Sequence, residues 1–551
     1  MNVMGRKDLF NLLLCLLPIV GLTAGAQSPE SYHRFLTPQV ASGKLSPPQH
    51  ISDFKKNAAL SISLNDAVRL ALANNSNIRI QETQIEAQKF VLLGAHQPFD
   101  PLLQAIANVN RNSTPGSSEL QGIGQTNSAA LNSLTQLGQI SYSELFKTGT
   151  SIAGTISSTK NSTNDSFNFF NPYFDSLLSF QFTQPLLRSA GVFANTAPLI
   201  IARRNLQQSR ANFDAQVNDA IFQVVTQYWA VVQARENLEV EQQSLSLAEA
   251  SYQRDKRALE LGALPPLDIY RSQAEVASRN LQAIQGEYTL KQVEEDLRLT
   301  IGADQDPAIH ALNLDLTEKP EPHEDLASIN MDDALQSALV GRPEVAANGY
   351  ALQNDETSIR LAKSQLLPSL SLTGFYQSTG LGGNQYDLNT GALVSHGGFG
   401  SSFSQLYQFG FPGYGASLTL NLPIRNRGAQ ANLGSSLVSR SRDLYSDRQT
   451  KEQVTRQVTD AVEQLEEAKK TLEAGKISYD LAQKTLAAEQ RKYELGAETN
   501  FFVLDAQSRL AQANLDLLQT QINYQVARAA VDHATGSLLA PYHVEILDLT
   551  K

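Results

Sequence analysis

The chain contains an internal duplication, and this duplication constrains the fold more than any other feature of the sequence. A Leu-Gly-Ala turn occurs at Leu261-Gly262-Ala263 and again at Leu495-Gly496-Ala497, each between two long segments of helical pattern. Sliding the chain by 234 residues superposes the turns and continues without a gap to Gly302 and Gly536. Self-similarity at a fixed offset indicates repeated structural units. Each half is therefore predicted to contain a helical hairpin of the same length beyond its turn.

A second offset, of 267 residues, superposes the stretch before each long helix, with Asp66 on Asp333 and Pro101 on Pro368. After each proline, apolar and polar side chains alternate, as in 103–109 and 416–422, which predicts β-strands with one apolar face. The connecting loops are rich in Ser, Gly and Asn, as exposed loops of outer-membrane barrels are. The first half carries 29 more residues between its prolines. The pattern leaves open whether they add barrel strands or form a side excursion.

These patterns divide the chain into consecutive segments. We predict a signal peptide at 1–26, an extended N-terminal segment at 27–60, a first repeat at 61–302, an inter-repeat linker at 303–329, a second repeat at 330–536 and a C-terminal segment at 537–551. The first repeat has strands at about 102–185, a long helix at about 195–261 and a return helix at about 267–301; the second has them at about 369–422, 429–495 and 500–535.

The N-terminus reads as an export signal. Arg6 and Lys7 precede an apolar run and the small residues at 24–26, and the single cysteine, Cys15, lies inside that run. A buried helix is the alternative, which Pro18 disfavours. Without 1–26 the formal charge becomes about −12, which argues against nucleic-acid binding. Beyond the signal no run reaches the roughly eighteen apolar residues of a spanning helix, so entry into a membrane would require a closed β-barrel.

Each return helix carries two apolar seams. In the second, one seam runs from Val503 to Val531 with 3-4 spacing, and the other from Phe501 to Ile522 two residues out of step. Two residues advance a helix by about 200°, so the seams lie on nearly opposite sides and need neighbours on both flanks. Side-by-side helices of this kind make a curved wall that closes into a tube; an ordinary bundle helix with a wide apolar stripe is the alternative. Two strands per half are too few to close a barrel, which needs about eight strands. Several chains are therefore expected to contribute strands to one barrel.

The order and duplication of these elements resemble the TolC family of outer-membrane efflux proteins over nearly all of the chain after the signal. Thr183-Gln184-Pro185-Leu186 and Asn421-Leu422-Pro423-Ile424 are similar to the family's exit from the second strand. Tyr493-Glu494-Leu495-Gly496 and Phe502-Val503-Leu504-Asp505 are similar to its turn and the residues after it. Each motif is weak alone, and their order and spacing together are specific.

The resemblance implies a mixed, mainly α fold. Duplicated long-helix hairpins would form an α-helical barrel, and strand pairs would contribute to a trimeric, about twelve-stranded transmembrane β-barrel. It implies an outer-membrane protein that extends into the periplasm and acts as the channel of a tripartite export system. The partners would be a periplasmic adaptor protein and an inner-membrane efflux pump or ABC exporter. The two Leu-Gly-Ala turns would be the periplasmic tips that contact the adaptor.

The resemblance also implies a gate near these tips. Asp268, Tyr493 and Asp505 fall where family members have the aspartates and tyrosine that link neighbouring hairpins and ring the entrance. Carboxylates crowded by symmetry attract cations and repel one another; the alternative is solvated carboxylates stabilised by helix dipoles. Glu498 stands where some members have a latching arginine, and Phe502 where they have a second aspartate, so an arginine latch is not expected.

The sequence contains no enzyme signature. The eight histidines lack metal-ligand spacing, and neither a phosphate-binding loop nor a nucleophile motif is present. We therefore expect no catalytic residue, cofactor or metal. A non-conducting, envelope-spanning structural or adaptor coiled-coil protein is the alternative function, which the amphipathic strands disfavour. The cargo is not encoded in any recognisable pattern.

Overall fold

The computed structural model describes residues 50–56, 59–115, 130–165, 168–262, 267–304, 307–322, 329–387, 390, 392–495, 497 and 499–542. The predicted signal peptide, most of the N-terminal segment and the last nine residues lie outside these ranges. The chain divides into two compact units, one built mainly from 93–200 and 357–436, the other from 46–92, 201–356 and 437–551. Both units draw on both halves of the duplicated sequence.

The first unit contains an antiparallel sheet. Its strands are β3 (Leu102–Pro115), β4 (Ala130–Leu145), β5 (Ser151–Thr163), β6 (Phe170–Pro185), β8 (Ser369–Tyr386) and β10 (Pro412–Asn421), in the order β10-β8-β6-β5-β4-β3, with the short β9 (Leu393–Ser395) on β8. The extra residues of the first half thus form the β4–β5 hairpin. Within the described part of the chain, the first half supplies four long strands to this sheet, where two were predicted and the rest left open.

The two faces of the sheet differ in polarity. One row across all six strands is mostly apolar: Leu103, Tyr142, Gly154, Phe180, Tyr376 and Tyr414. The adjacent row points the opposite way and is polar apart from its last residue: Gln104, Ser141, Thr155, Ser179, Gln377 and Gly413. Successive strand residues alternate between faces, so the sheet has one apolar face and one polar face.

The second unit is mainly helical. Its helices are α1 (Leu64–Asn74), α2 (Ser76–Gly94), α3 (Gly191–Glu260), α4 (Asp268–Ile301), α5 (Pro307–His310), α6 (Met331–Gly341), α7 (Pro343–Gln365), α9 (Arg427–Glu494) and α10 (Asn500–Thr535); α2, α3, α7 and α9 also extend into the first unit. A three-stranded sheet is formed by β1 (Lys55–Lys56), β2 (Ala59–Ile62) and β7 (Asn313–Leu316). A further short helix, α8 (Phe399–Gln408), belongs to the first unit. None of the helices within the described ranges combines the length and the apolar run needed to cross a bilayer.

Away from the turns, four of these helices pack in the order α9-α10-α3-α4. Gly475 of α9 packs on Thr520 of α10. His533 of α10 stacks on Phe222 of α3 with ring centroids 4.8 Å apart. Gly286 of α4 packs on Leu238 of α3. Each hairpin, α3–α4 and α9–α10, is thus joined to the other through α10 and α3.

The core of the second unit lies where the helices meet the small sheet. Tyr228 of α3 is fully buried; its hydroxyl donates to the Ile62 carbonyl and accepts the Glu318 backbone N–H, both at 3.3 Å. Burial raises the pKa of Tyr228 to about 12. The hydroxyl therefore stays neutral and links α3 to both β2 and the segment after β7.

Ser63 and Asp66 start α1 with a reciprocal capping box.

Asp355 of α7, whose carboxyl group faces Asp443 of α9, gives this unit a pH dependence. Burial first, and then the charge of Asp443, raise the pKa of Asp355 above its usual value of 3.8. A carboxyl that holds its proton more tightly in the native state stabilises the fold below its usual pKa, and that stabilisation is lost as pH rises through the raised pKa. Asp355→Asn is therefore expected to raise the thermal midpoint at pH 7, with a smaller difference at pH 4, in a circular-dichroism melt. The exposed Glu356→Gln is the control; an Asp355→Asn shift equal at both pH values would contradict this assignment.

Candidate helix-tip site and wall edges

The first predicted tip turn lies at the end of α3. Leu261 is 84% exposed, and Gly262 has φ +73°, a left-handed conformation that favours glycine. The Leu261 N–H donates to the Arg257 carbonyl at 3.1 Å, and the Gly262 N–H to the Leu259 carbonyl at 3.0 Å. These bonds close the last turn of the helix. An exposed leucine therefore projects at this tip; Ala263 lies outside the described residues.

The second predicted tip turn follows α9. Leu495 is 75% exposed, and its N–H donates to the Arg491 carbonyl at 3.2 Å. The Ala497 N–H donates to the Lys492 carbonyl at 2.9 Å. Gly496 and Glu498 lie outside the described residues. Both hairpins thus present an exposed leucine at the start of the turn.

Among the predicted gate residues, Tyr493 contacts a residue that the sequence analysis did not select. The guanidinium of Arg254, on α3, lies 5.8 Å from the centroid of the Tyr493 ring on α9. Cation–π contacts of this kind contribute about 0.5–1 kcal/mol at exposed sites. Asp268 is the first residue of α4, and its side chain is not among those described. A link between Asp268 and Tyr493 stays a prediction.

Asp505 and Phe502 lie on the first turns of α10. The Asp505 carboxylate is 2.8 Å from Arg509 Nε, four residues along the same helix, and both side chains are solvent-accessible. The Phe502 ring is 47% exposed and meets Phe501 edge to face, with centroids 5.5 Å apart. The tip of α10 therefore presents an aromatic pair and a carboxylate that is partly neutralised within its own chain.

Two polar contacts between helices near the tips were also missed from the sequence. Ser272 of α4 donates a hydrogen bond to Asp255 of α3, and both residues are buried. Arg279 of α4 donates to Ser508 Oγ of α10 at 2.7 Å and lies 2.8 Å from Glu275 and 4.0 Å from Glu241. Arg279 thus ties the first hairpin to the second.

The duplication itself contained a signal for these contacts. At the 234-residue offset, Arg254 falls on Ala488 and Arg279 on Ala513. A cation in one copy opposite an alanine in the other marks where the two hairpins are not equivalent. The same superposition that aligns the two turns therefore also marks where the hairpins differ.

The gate assignment of Asp505 predicts an electrostatic effect. If Asp505 lines the gate that the resemblance implies, Asp505→Ala is expected to weaken block by divalent cations in single-channel recordings, because it removes a carboxylate from that gate. Arg509→Ala is expected to strengthen the block, because it leaves the Asp505 charge unpaired. Asp516→Ala, further along α10, is the control. Unchanged block and conductance in both test variants would show that Asp505 is not a gate residue.

The two outer helices of the four-helix array expose apolar residues along their free sides. On α4, one of the two predicted seams is largely half-buried against α3, whereas the other is exposed: Leu267, Tyr270, Leu281, Ile284 and Tyr288. On α9, at the opposite end of the array, Ile477 is 62% and Leu481 57% exposed. On α10, inside the array, Val503, Ala513, Leu518 and Ile522 are buried. Both edges of the array are therefore apolar and uncovered in the single chain.

The structure is similar to solved outer-membrane channels. The Campylobacter jejuni CmeC outer membrane channel matches with a TM-score of 0.60 and 16% sequence identity, over 91% of this chain and 90% of that one. At this identity the likeness shows the fold, which is that of the outer-membrane channel proteins. The predicted mixed, mainly α fold, in which duplicated helical hairpins are combined with β-strands, is confirmed.

Sequence comparison gives the family. The model of the outer membrane efflux protein family matches residues 149–303 and 334–537, about two thirds of the chain. The chain therefore belongs to the outer membrane efflux protein family, and the predicted resemblance is confirmed. This family comprises efflux proteins and is not an enzyme class.

Two curated relatives have names that describe efflux components. The toluene efflux pump outer membrane protein TtgC of Pseudomonas putida is 24% identical over 308 residues, 54% of this chain and 56% of the relative. The outer membrane efflux protein BepC of Brucella suis is 22% identical over 340 residues, 60% of this chain and 66% of the relative. The chain thus aligns with between about half and two thirds of the length of these relatives.

Proposed function

We propose that this chain is the outer-membrane channel of a tripartite efflux system. Three copies would enclose one passage, with the strands in the outer membrane and the helical hairpins in the periplasm. A periplasmic adaptor and an inner-membrane pump would deliver the cargo and supply the energy. The chain itself would contribute a conduit and no catalytic step.

The uncovered apolar edges of the helical array carry this proposal. The exposed seam of α4 and the exposed residues of α9 lie on the two free sides of the array, so the α4 edge of one chain can pack against the α9 edge of the next. Leu281 and Ile477 lie at equal sequence distances from the turn glycines Gly262 and Gly496. This equal distance supports contact between them at the same level. Repeated edge-to-edge packing of this kind generates a closed ring.

The sheet supports the same arrangement. Its apolar face suits lipid and its polar face suits a water-filled passage, as in outer-membrane barrels. The edge strands β3 and β10 each have one neighbour in the described sheet, and a closed barrel abolishes such free edges. Pairing β10 of one chain with β3 of the next would close the wall. Three chains with six such strands each would supply eighteen, in place of the twelve that the resemblance implies.

The experiment is cryo-electron microscopy of the protein extracted from outer-membrane fractions in detergent. We expect a threefold ring with β10 paired to β3 of the neighbouring chain and eighteen strands in the wall. A monomer, or a coiled-coil assembly with no central passage, would refute the channel and favour the structural alternative. A threefold channel with twelve wall strands would keep the function and refute the strand count.

A further inference from the structure

The loop between β8 and β10 contains α8 (Phe399–Gln408), an amphipathic helix with no charged residue. The whole stretch from 397 to 421 lacks Asp, Glu, Lys and Arg. In an ordinary water-exposed loop we would expect several charges. This composition suits a surface that is not fully exposed to water.

Helix α8 is fixed to the sheet by specific contacts. Ser402 Oγ lies 2.6 Å from Ser176 Oγ of β6 and 2.8 Å from the Gly380 carbonyl oxygen of β8. The Gln405 side-chain amide both donates to and accepts from the backbone of Leu381, each at 3.0 Å. Ser402 and Leu406 are fully buried. The helix is therefore docked on the sheet.

Small residues make room for this docking. A Cβ added to Gly380 would overlap the Ser402 carbonyl oxygen, and one added to Gly382 would lie 2.6 Å from the Gly398 carbonyl oxygen. Only glycine allows so close an approach of the helix backbone.

The contacts place α8 on the apolar face. Ser176 and Ser378, which touch the helix, alternate in step with Phe180 and Tyr376 of the apolar row. The helix covers the far end of that face, beyond Pro412, where β10 begins. There it satisfies the free edge of β8 through Gln405.

An aromatic row runs along α8. Phe399, Phe403 and Tyr407 follow one another at four-residue spacing, with ring centroids 5.1 and 5.3 Å apart. Phe399 is 41% and Tyr407 64% exposed. The row therefore presents ring surface outward, although Ser402 and Leu406 already anchor the helix.

The height of α8 matches one boundary of a membrane. From Leu370, near the Pro185 end of the sheet, to Gly380 under α8 is ten residues, or about 34 Å along a strand and about 26 Å along the axis of a barrel with strands tilted by about 40°. The apolar band of outer-membrane barrels is about 25 Å tall, with aromatic girdles at its boundaries.

We propose that α8 is an interfacial helix whose aromatic row binds outer-leaflet lipid at the boundary between acyl chains and headgroups. This inference rests on the proposed function, since it needs the apolar face to lie in the outer membrane. Aromatic rings with an apolar body and a polar tip, such as Tyr407, stabilise this position. The six strands would then carry a helical collar at the outer boundary, one helix per chain.

The test uses nitroxide-labelled single cysteines in a Cys15→Ser background, reconstituted in bilayers of extracted outer-membrane lipid. Tyr407→Cys and Phe399→Cys report on α8, Leu418→Cys on the apolar face, Thr379→Cys on the opposite face and Ser395→Cys on the exposed end of the short strand β9. Accessibility is measured by power saturation with oxygen, which concentrates in lipid, and with a water-soluble nickel chelate.

We expect the oxygen-to-nickel ratio at 407 and 399 to lie below that at 418 and above those at 379 and 395. A ratio at both helix sites equal to that at 395 would show that the row faces water and overturn the proposal. Protection of both sites from both reagents would show that a neighbouring chain covers the row, and would also overturn it. A high nickel accessibility at 418 would instead refute the membrane location on which the proposed function depends.

Discussion

Leu281→Lys is expected to dissociate the proposed trimer into monomers. Leu281 is 56% exposed in the single chain and lies in the middle of the uncovered seam of α4. Covering a leucine contributes about 1.5–3 kcal/mol, and an uncompensated ammonium at the same place costs several kcal/mol more. Lys476 adjoins Ile477 on the facing edge, so the introduced charge would meet a like charge. The loss is repeated at each contact of the ring.

The measurement is electrophoresis of unheated and heated samples, with light scattering in detergent to give the mass. Asn280→Lys is a matched control, because it adds the same charge at the neighbouring, exposed position off the seam. We expect Asn280→Lys to remain trimeric. Equal trimer yield for Leu281→Lys and the parent would show that the α4 seam is not a subunit contact.

Leu418→Arg is expected to prevent stable insertion into the outer membrane. Leu418 lies on the apolar face of β10, is 64% exposed and pairs with Leu372 of β8. A lipid-facing arginine in a membrane barrel costs about 2–4 kcal/mol at the midplane and less near the boundaries. With one copy in each chain the cost is incurred three times in a trimer.

Thr419→Arg is the control for this substitution, since the next residue on the strand points to the polar face. We expect the Thr419 variant to reach the outer membrane in normal amount, and the Leu418 variant to be depleted there and degraded. The readout is the amount of protein in the outer-membrane fraction by immunoblot. Depletion of both variants alike, or of neither, would mean that the sheet does not separate lipid from water.

Much of this fold could be predicted because its periodicities are long. The 3-4 spacing in the second return helix continues over 29 residues, from Val503 to Val531, and the strand alternation is regular in 416–422. The two apolar seams on each return helix predict a neighbouring helix on both of its flanks. In the structure, α10 has neighbours on both flanks, whereas α4 keeps one seam uncovered.

The additional hairpin was harder to predict. Its strand β4 has a weaker alternation, with Gly138 and Tyr142 in one row and Leu137 on the other face. The hairpin joins the sheet because β4 pairs with β3 and β5 pairs with β6. A local sequence pattern does not determine which strands pair. The turn from Phe146 to Thr150 is a local feature, closed by the Phe146 N–H donating to the Thr150 carbonyl at 2.8 Å. No local pattern specifies the pairing partners of the two strands.

The tip contacts depend on which helices become neighbours. Tyr493 and Asp505 were selected by resemblance, whereas Arg254 and Arg509 are the residues that contact them. Arg509 follows Asp505 by four residues, so helical spacing alone predicts the contact between them. Arg254 and Tyr493 lie on different helices, α3 and α9, and they meet because these two helices come close together near the turns.

Conduction of solutes across a membrane by three copies of this chain can be measured by single-channel recording in planar bilayers. We expect purified, heat-modifiable trimers to insert and produce uniform conductance steps, and the Leu281→Lys monomer to produce none under the same conditions. Trimers that fold correctly and incorporate into lipid would contradict the channel function if neither the parent nor the tip variants produced conductance steps.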